Sequence, residues 1–186
     1  MKNPSFILGI SVFALLSGFF FLAPATSTAA SAKEIDIKVD AALERFKKDI
    51  GGGEAFLNTA EGVLVFPSVL KAGFVAGAEY GEGALRIEGK TVDYYNTAAA
   101  SFGFQLGAQA KTIILVFLDK DALQGFRNSQ GWEAGVDGSI ALVTIGAGGS
   151  IDSSNIRDPI VGFVFNNKGL MYNLTLEGSK FTKIHP

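Results

Sequence analysis

The chain reads as an α+β protein: a mainly antiparallel β sandwich or small barrel, glycine-rich, with an N-terminal amphipathic helix and one or two short helices. Three observations predict this. Apolar residues from Lys33 to Ile50 recur at helical spacing, and after Gly62 the period changes to two. The stretch from Gly62 to Gly89 (GVLVFPSVLKAGFVAGAEYGEGALRIEG) carries Gly73, Gly77, Gly81 and Gly83 inside strand-like sequence. Glycine there is costly in backbone entropy and is tolerated where strands bend or another surface approaches closely. Many short alternating runs with few helices then argue for a sandwich or small barrel with helices at one side.

Lys33 to Ile50 is predicted as the amphipathic helix, with Ile35, Val39, Ala42, Leu43, Phe46 and Ile50 on one stripe. Gly51, Gly52 and Gly53 end it. Its charges balance, five acidic against five basic, and only Arg45 to Lys48 lean basic. A membrane-surface helix usually has a basic polar face. A helix packed on its own domain is the other reading, and lysines near the C-terminus suit the helix dipole in either case.

Glu54 to Glu61 is expected as a short second helix, stopped by Gly62. Val63 to Phe66 reads as a buried strand, with a bend or edge position at Pro67 and Ser68. Gly73 to Ile87 is a long strand or a tight hairpin around Tyr80 to Gly83. Ser101 to Gln109 alternates, with Phe102, Phe104, Leu106 and Ala108 opposite Gly103, Gln105, Gly107 and Gln109. Thr112 to Leu118 is a continuous apolar strand. Asp119 caps a helix to about Asn128 that buries Ala122, Leu123 and Phe126. Trp132 to Leu142 alternates again, with Glu133, Gly135, Asp137 and Ser139 on the polar side. Ile160 to Phe165 and Leu170 to Leu176 flank Asn166–Gly169 as a hairpin, and Phe181 to Ile184 adds a last short strand.

The first residues have the pattern of a secretory signal peptide. Lys2 is the lone charge before position 33, Phe6 to Ala23 is nearly all apolar, and small residues follow Pro24. Ala30-Ser31-Ala32 fits a cleavage site, so residues 1–32 are expected to be removed and 33–186 to form one domain. Cleavage after Ala30 is the alternative, and an uncleaved anchor is another, the run being near the roughly 18 residues needed to span a bilayer. The expected location is periplasmic or secreted, free or peripheral on a membrane. A chain of about 150 residues can build a real core. With no cysteine the chain has no disulfide and no site for lipid attachment at a cleavage point, so any hold on a membrane is non-covalent.

Composition excludes several functions. A formal charge of −2 at pH 7 lacks the positive footprint of a nucleic-acid binder. His185 is the single histidine and lies next to last, which argues against Ser-His-Asp catalysis and zinc binding. Glu79 with Glu82, Asp119 with Asp121 and Glu133 with Asp137 read as solvated carboxylates. The glycines from Gly77 to Gly83 do not make a phosphate loop, because the sequence after Gly83 alternates like a strand. No cofactor is expected. The polar strips at 103–109 and 133–139 could floor a ligand groove if adjacent, or could allow close packing.

GVLVFPSVLKAGFVAGAEYGEGAL resembles the signature of the SYLF family, and SFGFQLGAQAK, GWEAGVDGS, GAGGS and GLMYNLTLEGSKF are similar to the remaining family blocks in order. The resemblance covers about Ala41 to Ile184. It implies a lipid-binding domain: eukaryotic members bind phosphoinositide-containing (phosphatidylinositol) membranes and, in yeast actin-patch proteins, actin filaments, while bacterial members are exported. It also implies membrane contact by a helix at the start of the domain, which here corresponds to Ile35 to Ile50. The expected function is therefore a non-enzymatic, membrane-associated protein of the bacterial cell envelope that contacts anionic lipid. The stripe Ile35, Val39, Leu43 and Phe46 would insert, with Arg45, Lys47, Lys48 and Lys71 at headgroups. The alternative is a structural or protein-interaction module of the envelope with no lipid ligand.

Overall fold

The structure, a computed structural model, describes residues 30–73, 76–102, 109–143, 151, 156–166, 169–170 and 176–186. Most of the leader-like segment, residues 1–29, and the strip at 103–108 lie outside the described residues, as does most of the run expected from Leu170 to Leu176.

Helix α1 spans Ala32–Asp49. Ser31 is its N-cap: the Ser31 hydroxyl accepts from the Glu34 N–H at 3.3 Å, satisfying one of the free amides of the first turn. One turn-and-a-half of helix follows as α2, Gly53–Leu57, shorter than the expected run to Glu61. Gly52 enters it at φ 76°, a conformation that suits glycine.

The strands are β1 (Gly62–Gly73), β2 (Ala76–Ile87), β3 (Lys90–Phe102), β4 (Gln109–Phe117), β5 (Trp132–Glu133), β6 (Ala141–Leu142), β7 (Ile160–Asn166), β8 (Gly169–Leu170) and β9 (Lys180–Ile184). Helix α3, Lys120–Asn128, lies between β4 and β5 and is capped by Asp119, whose carboxylate accepts from Ala122 N–H at 2.8 Å. Among the described residues nine strands join one sheet in the order β5-β9-β3-β2-β1-β4-β7-β6, with β8 beside β7. Every pair is antiparallel except β6 with β7. The sheet curls into a half-barrel, so the expected α+β class holds in its barrel-like form, left open.

Several local expectations are resolved or corrected. Pro67 does not end β1; the strand runs through it with a register shift between Val65 and Ser68, a bulge that absorbs the residue without an N–H. Of the two readings for Gly73 to Ile87 the long strand holds: β2 passes unbroken through Tyr80 to Gly83, between β1 and β3, and no hairpin forms there. β3 is a long strand that hydrophobic alternation did not announce, because its facing positions are Tyr, Thr, Asp and Asn rather than aliphatic. Its turn from β2 is Glu88-Gly89, with φ 50° and 76°, the twist-matched two-residue hairpin. Trp132 to Leu142 is not one strand. After Glu133 the chain turns, with Gly135 at φ 87° and the Asp137 carboxylate accepting from the Glu133 N–H at 2.7 Å. Glu133, Gly135, Asp137 and Ser139 therefore form no strip.

The core has two parts, one on each face of the sheet. β1 and β4 alternate between them. Leu64, Phe66, Ile113 and Leu115 pack with Leu123 and Phe126 of α3. Val63, Val65, Ile114 and Val116 pack with Ile35, Val39 and Phe46 of α1. Cover on both faces explains why the β4 sequence is continuously apolar.

Candidate functional site: the docked helix α1

The apolar stripe of α1 lies against the sheet. Ile35, Val39, Ala42 and Phe46 are buried, and Leu43 and Ile50 are half-buried against the same cluster. Phe46 meets Phe163 of β7 edge-on, ring centroids 4.9 Å apart, and lies 6.4 Å from Phe165. Each such side chain contributes roughly 1.5–3 kcal/mol through burial.

A polar clasp reinforces the apolar contact. Arg86 of β2, an intermediate-burial residue in an otherwise apolar strand end, donates from Nη2 to Asp40 Oδ1 at 2.7 Å and lies 3.3 Å from Asp36 Oδ1. The Asp36 carboxylate also accepts from Thr91 Oγ1 at 2.6 Å and from the Tyr94 hydroxyl at 2.9 Å. Burial, with the hydrogen bond to Asp36 second, raises the Tyr94 phenol above its ordinary range, so Tyr94 stays a donor. Asp36 thus joins α1 to both β2 and β3. Sequence reasoning missed this clasp. Its signal was present: Asp36 and Asp40 sit four apart beside the apolar stripe, and Arg86 stands beside Leu85 and Ile87.

The expected basic residues are dispersed. Lys47 and Lys48 are exposed on the outer face, and Lys47 bonds Glu44 at 2.8 Å, which with its charge raises the lysine pKa. Arg45 donates to Asp49 at 3.2 Å and lies 5.2 Å over the Phe165 ring. These three share the C-terminal half of α1. Lys71 does not join them. The alternation that puts Leu70 in a groove with Glu34, Ile35 and Lys38 of α1 turns Lys71 to the opposite face, where it lies 3.8 Å from Glu79. Glu79 also pairs with Lys111.

The groove beside α1 has a volume of about 440 Å³ and is bordered by the exposed side chains of Leu70 and Tyr80. Glu82 closes one end, accepting from the Tyr80 hydroxyl at 2.9 Å and from the Ala30 N–H at 3.1 Å. Among the described residues no group of three or more His, Cys, Asp or Glu could hold a metal ion, and no helix is long and apolar enough to cross a membrane.

Helix α1 thus lies across a curled antiparallel sheet, clasped towards its N-terminus by Arg86 and basic towards its C-terminus. Residues 98–185 match the family Ysc84, described as Las17-binding protein actin regulator, which is consistent with the SYLF-domain family. The matched segment runs from the second half of β3 to β9, so α1 and its clasp to β2 precede it. No curated protein matches the chain.

Proposed function

We propose that this protein is a non-enzymatic binding module of the bacterial cell envelope that sits peripherally on anionic membrane lipid. Arg45, Lys47 and Lys48 meet the headgroups, and the stripe Ile35, Val39, Leu43 and Phe46 enters the interface when α1 leaves the sheet. The amphipathic α1, with its basic residues gathered in the last turns, carries this reading. The leader-like pattern of residues 1–32 supports export. The energetics permit release near a bilayer. The stripe moves from one apolar surroundings to another, but release also breaks the clasp and uncovers Val63, Val65, Ile114, Val116 and Phe163, so the bilayer interface must cover that sheet face as well. Each basic residue at an anionic surface returns about 1 kcal/mol, so binding is weak and salt-sensitive.

Co-flotation with liposomes tests this. Binding is expected to rise with anionic lipid and fall with salt. Arg45/Lys47/Lys48→Glu should lower it by about 100-fold, three headgroup contacts at roughly 1 kcal/mol each being lost or reversed. Equal flotation of this variant and the wild type would refute the headgroup assignment.

Asp36→Ala tests the release step, since it leaves the stripe and the basic residues intact. Loss of three partners should weaken docking by about 1–3 kcal/mol and raise flotation. Unchanged flotation with weakened docking would mean that α1 stays on the sheet. The second reading is then favoured: a structural or protein-interaction module whose helix is a permanent part of the core. The burial of Phe46 and the packing of Ile50 support that reading.

A further inference from the structure

We propose that the concave surface between α3 and β9 is an oxyanion site that takes a phosphate group. It lies on the sheet face opposite α1, because α3 packs into the other half of the core. The cavity has a volume of about 430 Å³ and is lined by Lys120, Leu123, Gln124, Arg127, Asn128 and Lys183. Lys120, Leu123, Gln124 and Arg127 fall at helical spacing on one face of α3, and Lys183 projects from β9. Three cations and two amides thus line one cavity in a chain whose formal charge is −2.

The arrangement is built from behind. Asp93 of β3, its side chain only 15 % exposed, accepts from Arg127 Nε at 3.0 Å and pairs with Lys183 Nζ at 2.9 Å. One carboxylate therefore fixes two cations. It consumes one guanidinium edge position and one ammonium hydrogen. The Asp93 contacts leave the two Nη groups of Arg127 for a ligand, and Lys183 Nζ, which also lies 5.8 Å from the centre of the Tyr95 ring, keeps further hydrogens to donate. Two cations against one carboxylate leave positive charge in a partly dehydrated place, where an anion is attracted more strongly than in bulk water.

Lys120 adds an independent observation. It is the first residue of α3, at the positive end of the helix dipole, where a lysine disfavours the helix. Its nearest carboxylate, Glu61, is 4.0 Å away, and its own side chain is 80 % exposed, so that ion pair contributes little. Asp119 and Asp121 flank it at the helix start, and its exposed side chain is free to turn towards an anion held by Arg127 and Lys183. The recognised chemistry is a tetrahedral oxyanion with several acceptor oxygens. A lipid phosphomonoester headgroup and free phosphate both supply it.

The test is titration of the purified protein with inorganic phosphate at constant ionic strength, followed by NMR at the α3 and β9 amides and at Arg127 Nε. Lys120→Glu with Gln124→Glu is the main variant, because both side chains are exposed and the Asp93 pairs remain. Chemical-shift changes confined to this cavity, with affinity at least about 10-fold lower in the double variant, are expected. Arg127→Gln should lower affinity further, with circular dichroism checking that it folds. Arg45/Lys47/Lys48→Glu, on the other face, should leave the phosphate response in place whether or not it abolishes flotation. Vesicles of phosphatidic acid in phosphatidylcholine separate the two sources. Weaker flotation of the double variant assigns the site to a headgroup, and unchanged flotation with a lost phosphate response assigns it to free phosphate. No shift on phosphate addition, or the same affinity in the double variant, overturns the proposal.

Discussion

Gly83→Ala is expected to destabilise the protein by about 2–3 kcal/mol. A Cβ at Gly83 falls inside contact distance of the Val65 carbonyl oxygen, and 2.7 Å from a ring carbon of Phe66. The obstacle is backbone as well as side chain, since the Val65 carbonyl carbon is 2.8 Å away. Gly81 repeats the arrangement two residues earlier, 2.8 Å from the Ser68 carbonyl oxygen and Val69. Both glycines face the β1 bulge between Val65 and Ser68, where the extra residue of β1 presses towards β2. A methyl group there must push two paired strands apart at the centre of the sheet. Urea unfolding should show a lower midpoint with an unchanged slope, and the melting temperature should fall by roughly 5–10 °C. Gly125→Ala is the control. Nothing lies within 4 Å of a Cβ at that position in α3, so the change should stabilise by about 0.5–1 kcal/mol. A Gly83→Ala protein as stable as wild type would mean that β1 and β2 can separate at the bulge without cost.

Phe46→Ala is expected to cost about 3–5 kcal/mol, the usual range for truncating a buried aromatic. The ring is fully covered, packs edge-on against Phe163, and has Gly53 set against it, where a Cβ would come within 3.1 Å. The cavity would open between α1, α2 and β7, at the joint that anchors the C-terminal half of α1. Hydrogen exchange then reports how the loss is distributed. If α1 can leave the sheet as a unit, its amides lose protection while those of β1 and β4 keep theirs. Loss of protection throughout, in step with the urea midpoint, would make α1 inseparable from the core. That outcome would count against membrane insertion of the stripe and for the protein-contact reading.

Much of the architecture was legible locally. The stripe Ile35, Val39, Ala42 and Phe46 marks α1 because four residues at helical spacing share one face whatever covers them. Asp119 announces α3 because its carboxylate satisfies an amide three residues on. Glycine density between Gly77 and Gly83 pointed to close approach, and the neighbours of Gly81 and Gly83 bear this out. Other features were not legible. β3 escaped because Asp93, Thr97 and Asn96 lack an apolar signature, although Tyr95 is core. The run after Trp132 misled because its alternation belongs to a turn closed by Asp137. In the candidate site, Arg45, Lys47 and Lys48 were visible as a basic end of the helix, but the clasp was not, since Arg86 reaches Asp40 across 46 residues of chain.

The sequence by itself determined the amphipathic character of α1, the Asp119 cap of α3 and the glycine density of β2, because each is written in residues within a turn or two of one another. The tertiary structure alone decided what those features meet. It covered the α1 stripe with β1, β4 and β7, turned Lys71 to the face away from α1, and gathered Asp93, Arg127 and Lys183 from three separate elements. Periodicity states that a face exists; only long-range strand pairing states what lies against it, because register through a bulge and the order of strands in a sheet are settled by packing between distant segments.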